Sequence, residues 1–218
     1  MEKVCYIFGA GDLYEENITI PDNAFVIAAD AGIYQTKALG IPVDLVLGDF
    51  DSGSIADAGE NAIVFPPEKD YTDTFLAVQY GFDRGIRNFE IFACLGGNRL
   101  SHSIANIQML SYFAKRGCKI NLHGKNEIIF ALYNSPDITG KEKETVSFDE
   151  NYTGYISVFA LDGDVKGLTV TGLKYQLEEK TLESDFPLGV SNEFCGEKSN
   201  ISFSSGMLLI VCQKQQKK

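Results

Sequence analysis

Two histidines in 218 residues leave no set of imidazoles from which a zinc centre could be assembled. Positive charge is also scarce: Lys and Arg total 19 against 30 Asp and Glu, a formal charge of -11. Such a field repels phosphate backbones and acidic lipid surfaces, so general nucleic-acid binding and membrane-surface binding are disfavoured. An anionic ligand such as a nucleotide then needs a bound cation or a local arginine to enter, whereas a cationic ligand needs neither. Cys5, Cys94, Cys118, Cys195 and Cys212 are odd in number, scattered, and form no Cys-x-x-Cys pair, which fits reduced thiols in a cytoplasmic chain. Long apolar runs are missing too: Met207 to Cys212 falls far short of the roughly 20 residues a spanning helix needs. Met1 to Cys5 lacks the basic and apolar regions of a signal peptide, so export is not expected.

Two familiar nucleotide motifs are absent as well. Gly9-Ala10-Gly11-Asp12-Leu13-Tyr14 begins like a dinucleotide fingerprint but has Tyr14 where the third glycine belongs, and no Gly-x-x-x-x-Gly-Lys-Ser/Thr occurs. A Rossmann dehydrogenase and a P-loop enzyme are therefore disfavoured.

What is present is a globular composition, 44% hydrophobic and 22% charged, with a change of character near Gly124. Before it, short β-branched runs at Val4 to Phe8, Phe25 to Ala29, Leu45 to Leu47, Ala62 to Phe65, Phe89 to Ala93 and Ile120 to His123 alternate with helical patterns. The helices are predicted at Ile33 to Leu39, Thr72 to Phe82 and Ser101 to Arg116, the last with Ile104, Ile107, Leu110 and Phe113 on the stripe facing the sheet. Gly40, Gly81 and Gly117 mark their C-termini. This alternation predicts an α/β domain, residues 1–124, with a mostly parallel sheet flanked by helices. After it, strands at Glu127 to Tyr133, Thr145 to Phe148, Tyr155 to Ala160, Val165 to Thr171 and Met207 to Cys212 predict an all-β sandwich over 125–218, packed against the first domain.

Three segments carry chemistry. In Gly48-Asp49-Phe50-Asp51-Ser52, two carboxylates two residues apart project from one face at a strand's carboxyl end, where open α/β sheets bind ligands. At about 4 Å they repel by roughly 4 kcal/mol, which a divalent cation relieves, and hard oxygen donors favour Mg2+ or Mn2+. A turn after a strand explains the same residues. In Lys69-Asp70-Tyr71-Thr72-Asp73-Thr74, Asp73 is a candidate third oxygen ligand, with Thr72 and Lys69 reaching phosphate oxygens; helix capping by Thr72 or Asp70 is the alternative. In Gly96-Gly97-Asn98-Arg99-Leu100-Ser101-His102, a glycine turn opens a helix, a natural anion site with Arg99 placed to meet a phosphate. Here a Ser101 cap with a surface Arg99 is the alternative. His123 has no recognisable partner and is taken as structural.

Together these segments resemble one family, the thiamine pyrophosphokinases. The resemblance extends through Ala29-Asp30-Ala31-Gly32, Gly172-Leu173-Lys174-Tyr175-Gln176-Leu177 and Ser191-Asn192-Glu193-Phe194, in the family's order from Asp30 to Phe194. It implies transfer of pyrophosphate from ATP to the hydroxyethyl oxygen of thiamine, giving thiamine diphosphate and AMP, by a cytoplasmic, Mg2+-dependent homodimer. The active site is expected between the α/β catalytic domain of one subunit and the thiamine-binding β domain of the other. Asp49, Asp51 and Asp73 are implied as metal ligands and, with Arg99, as the catalytic set. Asp30, Lys69, Asp70, Thr72, Arg99 and His102 are implied at ATP, and Ser101, Tyr175, Ser191 and Asn192 at thiamine, with Tyr175 stacking on the cationic heterocycle.

The sequence departs from the family pattern at Ser101, where a carboxylate is usual, at Asn98 in place of glycine, and at Ala31. The Ser101 change keeps two alternatives in view: a pyrophosphokinase for another hydroxylated heterocycle such as a pterin, and a non-catalytic thiamine- or nucleotide-binding protein.

Overall fold

The computed structural model describes residues 2–15, 17–48, 62–64, 66, 70–97 and 99–215. The chain divides into two compact units, Met1–Lys125 and Asn126–Lys218.

In the first unit, six strands form a wholly parallel sheet: β1 Val4–Phe8, β2 Phe25–Ala29, β3 Leu45–Gly48, β4 Ala62–Val64, β5 Asn88–Phe92 and β6 Lys119–His123. Their order is β6-β5-β1-β2-β3-β4, with Ile7 in register with both Ile27 and Ile91. The helices are α1 Gly32–Ala38, α2 Asp73–Asp83 and α3 Leu100–Ala114. Strand residues such as Ile7, Phe8, Ile27, Leu47 and Ile91 are fully buried. A parallel sheet whose strands read as continuous apolar runs needs cover on both faces.

The chain runs outward from β1 through β2, β3 and β4, then returns to the other side of β1 as β5. This reversal sets a topological switch point between β1 and β5, so the loops leaving their carboxyl ends diverge and open a crevice.

Two sequence expectations are corrected here. Gly81 does not end a helix. It lies inside α2, buried, where a Cβ would come within 2.7 Å of Phe89 Cε1, so its absence of side chain lets α2 rest on β5. The chain leaves this helix at Gly85, with φ of 83°. On α3 the inward face is Ser103, Asn106, Leu110 and Phe113, while Ile104 is half exposed. Two polar positions are buried because they serve loop backbone, as described below.

His123 is likewise not isolated. Its Nε2 lies 2.6 Å from Glu90 Oε2, its Nδ1 lies 3.8 Å from Glu15 Oε1, and its ring stacks on Phe92 at 4.1 Å between centroids.

The second unit is two antiparallel sheets. One has the order β12-β9-β14-β7, built from β7 Glu127–Asn134, β9 Tyr155–Ala160, β12 Asn192–Glu193 and β14 Gly206–Gln213. The other has the order β11-β10-β13-β8, from β8 Glu144–Phe148, β10 Val165–Thr171, β11 Leu177–Leu182 and β13 Ser199–Phe203. A single turn of helix, α4 Pro136–Thr139, follows β7. Ile156, Val158, Leu208 and Ile210 from the first sheet and Leu168, Val170, Ile201 and Phe203 from the second form one buried cluster. Each such side chain contributes about 2 kcal/mol by leaving water.

Candidate active site

The switch point carries a cavity of about 460 Å³ within the first unit. Its wall takes Ala10 to Asp12 from the loop after β1, Ala29 to Ala31 after β2, Thr72 to Thr74 at the start of α2, and Ala93, Cys94, Gly96, Gly97 and Arg99 with His102 and Asn106 after β5. Among the described residues these bring together Asp30, Thr72, Asp73, Arg99 and His102, five residues that the sequence places on three separate segments.

The loops after β1 and β5 are joined by backbone hydrogen bonds. Gly9 N donates to Phe92 O at 2.9 Å and Gly11 N to Ala93 O at 2.8 Å. A Cβ at either glycine would stand 2.6 or 2.7 Å from the Ala93 carbonyl oxygen, closer than any side chain tolerates. The glycines that resemble a dinucleotide fingerprint therefore exist so that the β1 and β5 loops can lie against each other. Gln35 Nε2 steadies the same loop by donating to Gly11 O at 3.1 Å.

Two buried polar residues of α3 complete the scaffold. Asn106 Nδ2 donates to Cys94 O at 2.7 Å, and Ser103 Oγ accepts from Gly96 N at 3.0 Å. A buried backbone group left unpaired costs about 1 to 3 kcal/mol, so these two side chains fix the glycine turn. No motif marks Ser103, Asn106 or Gln35 in the sequence; the signal for the first two is a helix face whose apolar period is broken at two polar positions.

Asp30 has φ of 52° and donates its N-H to Leu47 O at 2.7 Å, so its backbone turns sharply at the end of β2. Thr72 is the N-cap of α2, its Oγ1 accepting from Phe75 N at 3.2 Å, and Asp73 occupies the first turn. Arg99 is the N-cap residue of α3 without a side-chain cap bond, so no side chain caps that helix. Two helix N-termini thus open on one cleft, each with its positive dipole end available to an anion. Asp70 and Ser101 are exposed and do not line the described wall. Asp49, Asp51 and Lys69, with Asn98, lie outside the described residues.

Asp12, Asp30 and Asp73 face the cavity against Arg99 as its one fixed cation among the described residues. Among those residues no group of three or more His, Cys, Asp and Glu side chains forms a metal set. Carboxylates in a shared cleft still fit Mg2+, which is bound by one or two of them together with phosphate oxygens and water rather than by an all-protein cage.

The second unit has its own cavity, about 210 Å³, lined by Ile156, Val158, Val170, Leu173, Tyr175, Leu188, Val190 and Asn192 among others. Asn192 pins the tyrosine backbone from both sides: Tyr175 N donates to Asn192 Oδ1 at 2.9 Å and Asn192 Nδ2 donates to Tyr175 O at 2.6 Å. Tyr175 itself is exposed. Ser191, with φ of 59°, donates its N-H to Ser157 Oγ at 2.9 Å. The Glu193 carboxylate accepts a hydrogen bond from Lys174 and holds that ammonium above its usual range.

A parallel α/β unit with an acidic cleft at its switch point, onto which two helix N-termini open, followed by a β sandwich, defines a two-domain class of protein, α/β then all-β. Residues 19–122 match the thiamin pyrophosphokinase catalytic domain and residues 141–208 its vitamin B1 binding domain. The chain is 32% identical over 196 residues to thiamine pyrophosphokinase of Bacillus subtilis (strain 168), covering 87% of this chain and 84% of the relative. It therefore belongs to the thiamin pyrophosphokinase family. Thiamin pyrophosphokinase 1 of Caenorhabditis elegans is 25% identical, covering 77% of this chain and 69% of its own. The crystal structure of the Bacillus subtilis enzyme superposes with a TM-score of 0.83 at 26% identity, covering 99% of this chain and 100% of the other. That of the Geobacillus thermodenitrificans enzyme gives 0.80 at 25% identity, with 98% and 99% covered.

Proposed function

We infer that this chain is a thiamine diphosphokinase, moving the terminal pyrophosphoryl group of ATP to the hydroxyethyl oxygen of thiamine. The thiamine oxygen bonds to the β-phosphorus, the bond from that phosphorus to the α-β bridging oxygen breaks, and AMP leaves with the bridging oxygen. The hydroxyl proton is released. The observation that carries the reading is the convergence of the α2 and α3 N-termini with Arg99 on one acidic cleft in a chain of this family.

Phosphoryl chemistry is mostly positioning and charge neutralisation. Thr72 and the first turn of α2 hold phosphate oxygens, and Arg99 spans two oxygens of the transferred group with its planar fork. Asp30 and His102 border the nucleotide; Lys69 and Asp70 are assigned with them by the resemblance. Asp73, with Asp49 and Asp51, would hold Mg2+, or Mn2+ in its place. When bound, that ion offsets phosphate charge that an acidic cleft would otherwise repel. The residues of the second cavity, Tyr175 with Asn192, and Ser191 beside them, are proposed for the heterocycle of thiamine, together with Ser101 of the catalytic unit.

We include in this reading a cytoplasmic homodimer in which each copy's β domain serves the other copy's cleft. The exposed Tyr155, Tyr175, Phe186, Leu188 and Val190 support it, since apolar groups of that number in one small unit suit an interface. Sedimentation equilibrium is expected to give twice the 24.0 kDa chain mass.

AMP release from ATP and Mg2+ with thiamine, with a hydroxymethylpterin, and with no acceptor tests the activity. AMP and thiamine diphosphate in equal amounts with thiamine alone is the expected result. Turnover with the pterin only points to the other acceptor, the reading that Ser101 keeps open, and no turnover with either points to a binding protein.

Arg99→Lys is expected to keep most ATP affinity while losing far more turnover, because lysine keeps the charge but not the fork. Initial rates and nucleotide titration separate the two; equal losses in both would make Arg99 a ground-state contact.

A further inference from the structure

Among the described residues, the loop after β1 is the segment of the cleft wall without a role in the proposed reaction, and Asp12 lies in it. It follows Gly11 in the loop after β1, and its carboxylate faces the glycine turn: Asp12 Oδ2 stands 3.8 Å from where a Cβ on Gly97 would be. Tyr14 OH donates to the same Oδ2 at 3.3 Å. Space for that brace is kept by Gly96, whose φ is 80° and where a Cβ would come 2.6 Å from the Tyr14 hydroxyl. Among the described residues Asp12 makes no ion pair.

A fixed carboxylate beside a phosphate repels it, whereas the two helix N-termini and Arg99 attract it. Asp12 therefore opposes the attraction that the adjoining glycine turn and Arg99 exert on a phosphate, and makes its own part of the wall better suited to a cation. The first turn of α3 carries no acidic residue, and Ser101 is exposed there, so that wall supplies no competing negative charge.

We propose that Asp12, braced by Tyr14, is a specificity-determining residue that receives the positively charged, amine-bearing heterocycle of the acceptor. The proposal rests on thiamine being that acceptor. Asp12 touches the substrate; Tyr14 is a positioning residue that acts through it.

The test is steady-state kinetics on the full chain with ATP and Mg2+, varying thiamine and ATP separately. Asp12→Asn is expected to raise the thiamine KM about tenfold or more, the weight of one hydrogen bond to a charged group, with ATP KM unchanged and kcat largely kept. Tyr14→Phe should raise the thiamine KM by less, and in the double variant it should add nothing to Asp12→Asn. Asp22→Asn, an exposed carboxylate away from the cleft, controls for net charge and should leave both constants alone. An unchanged thiamine KM in Asp12→Asn overturns the assignment, as does a lowered ATP KM at constant thiamine KM, which would place Asp12 against the phosphates. Failure of wild type to release AMP with thiamine instead defeats the underlying activity, and the two failures are distinct.

Discussion

Asp73→Asn is expected to lower the rate of AMP formation about a thousandfold, the loss of roughly 4 kcal/mol of charge stabilisation in the transition state. The substitution is nearly isosteric, so it isolates charge. Asp73 sits in the first turn of α2, beside the Thr72 cap that accepts from Phe75 N, and that cap is untouched by the change. Loss of a negative charge at a helix N-terminus costs about 0.3 to 1 kcal/mol, while a less acidic cleft, shared with Asp12 and Asp30, acts in the opposite direction. The two nearly cancel, and the melting temperature of the free protein should move by only a few degrees. ATP with Mg2+ should raise the melting temperature of wild type and fail to do so for the variant. A variant stabilised as much as wild type, and turning over at a comparable rate, would remove Asp73 from the metal set.

Much of the fold was legible because its strands are chemically unambiguous. β1, β2, β9 and β10 occupy the same residues as the apolar runs from which they were read, since each is β-branched or aromatic and ends in a turn residue. β11 was not legible: Leu177–Leu182 has apolar side chains only at its two ends, and as an edge strand of its sheet it carries charge facing water. β13 is central, but it enters the core through Ser199, Ile201 and Phe203, and a serine at an inward position hides the alternation. On α3 the period pointed to Ile104, whereas the buried face begins at Ser103 and Asn106. Hydrophobic periodicity cannot register a side chain buried to satisfy a loop carbonyl.

The cleft was legible at the level of segments, not of arrangement. Asp30, Asp73 and Arg99 stand in recognisable motifs, but that they meet depends on β5 returning to the far side of β1, and strand order is not encoded in any local pattern. For the same reason the loop after β1 is not legible as part of the cleft. In sequence Gly9 and Gly11 read only as an incomplete nucleotide motif, because the Ala93 carbonyl they accommodate lies more than eighty residues away.

Gly32→Ala is expected to destabilise the first unit by about 3 kcal/mol or more, at the upper end of overpacking costs. On propensity alone the opposite holds, since alanine is favoured over glycine in a helix by about 1 kcal/mol. Geometry decides between them. A Cβ on Gly32 would stand 1.9 Å from Phe8 O, 2.7 Å from Phe8 C and 3.1 Å from Gly9 O, all backbone atoms that no rotamer change can move. The strand end must shift, and with it the Gly9 N to Phe92 O bond that joins the two loops of the cleft. Stability and activity should therefore fall together. Gly40→Ala is the matched control: its φ is 65°, but no atom lies within 4 Å of the added methyl, so only the left-handed backbone cost of about 1 to 2 kcal/mol applies. Urea midpoints and AMP release measured on both variants give the comparison. A Gly32→Ala protein with the wild-type midpoint would mean that α1 does not rest on the Phe8 carbonyl and that the close approach is not what requires glycine there.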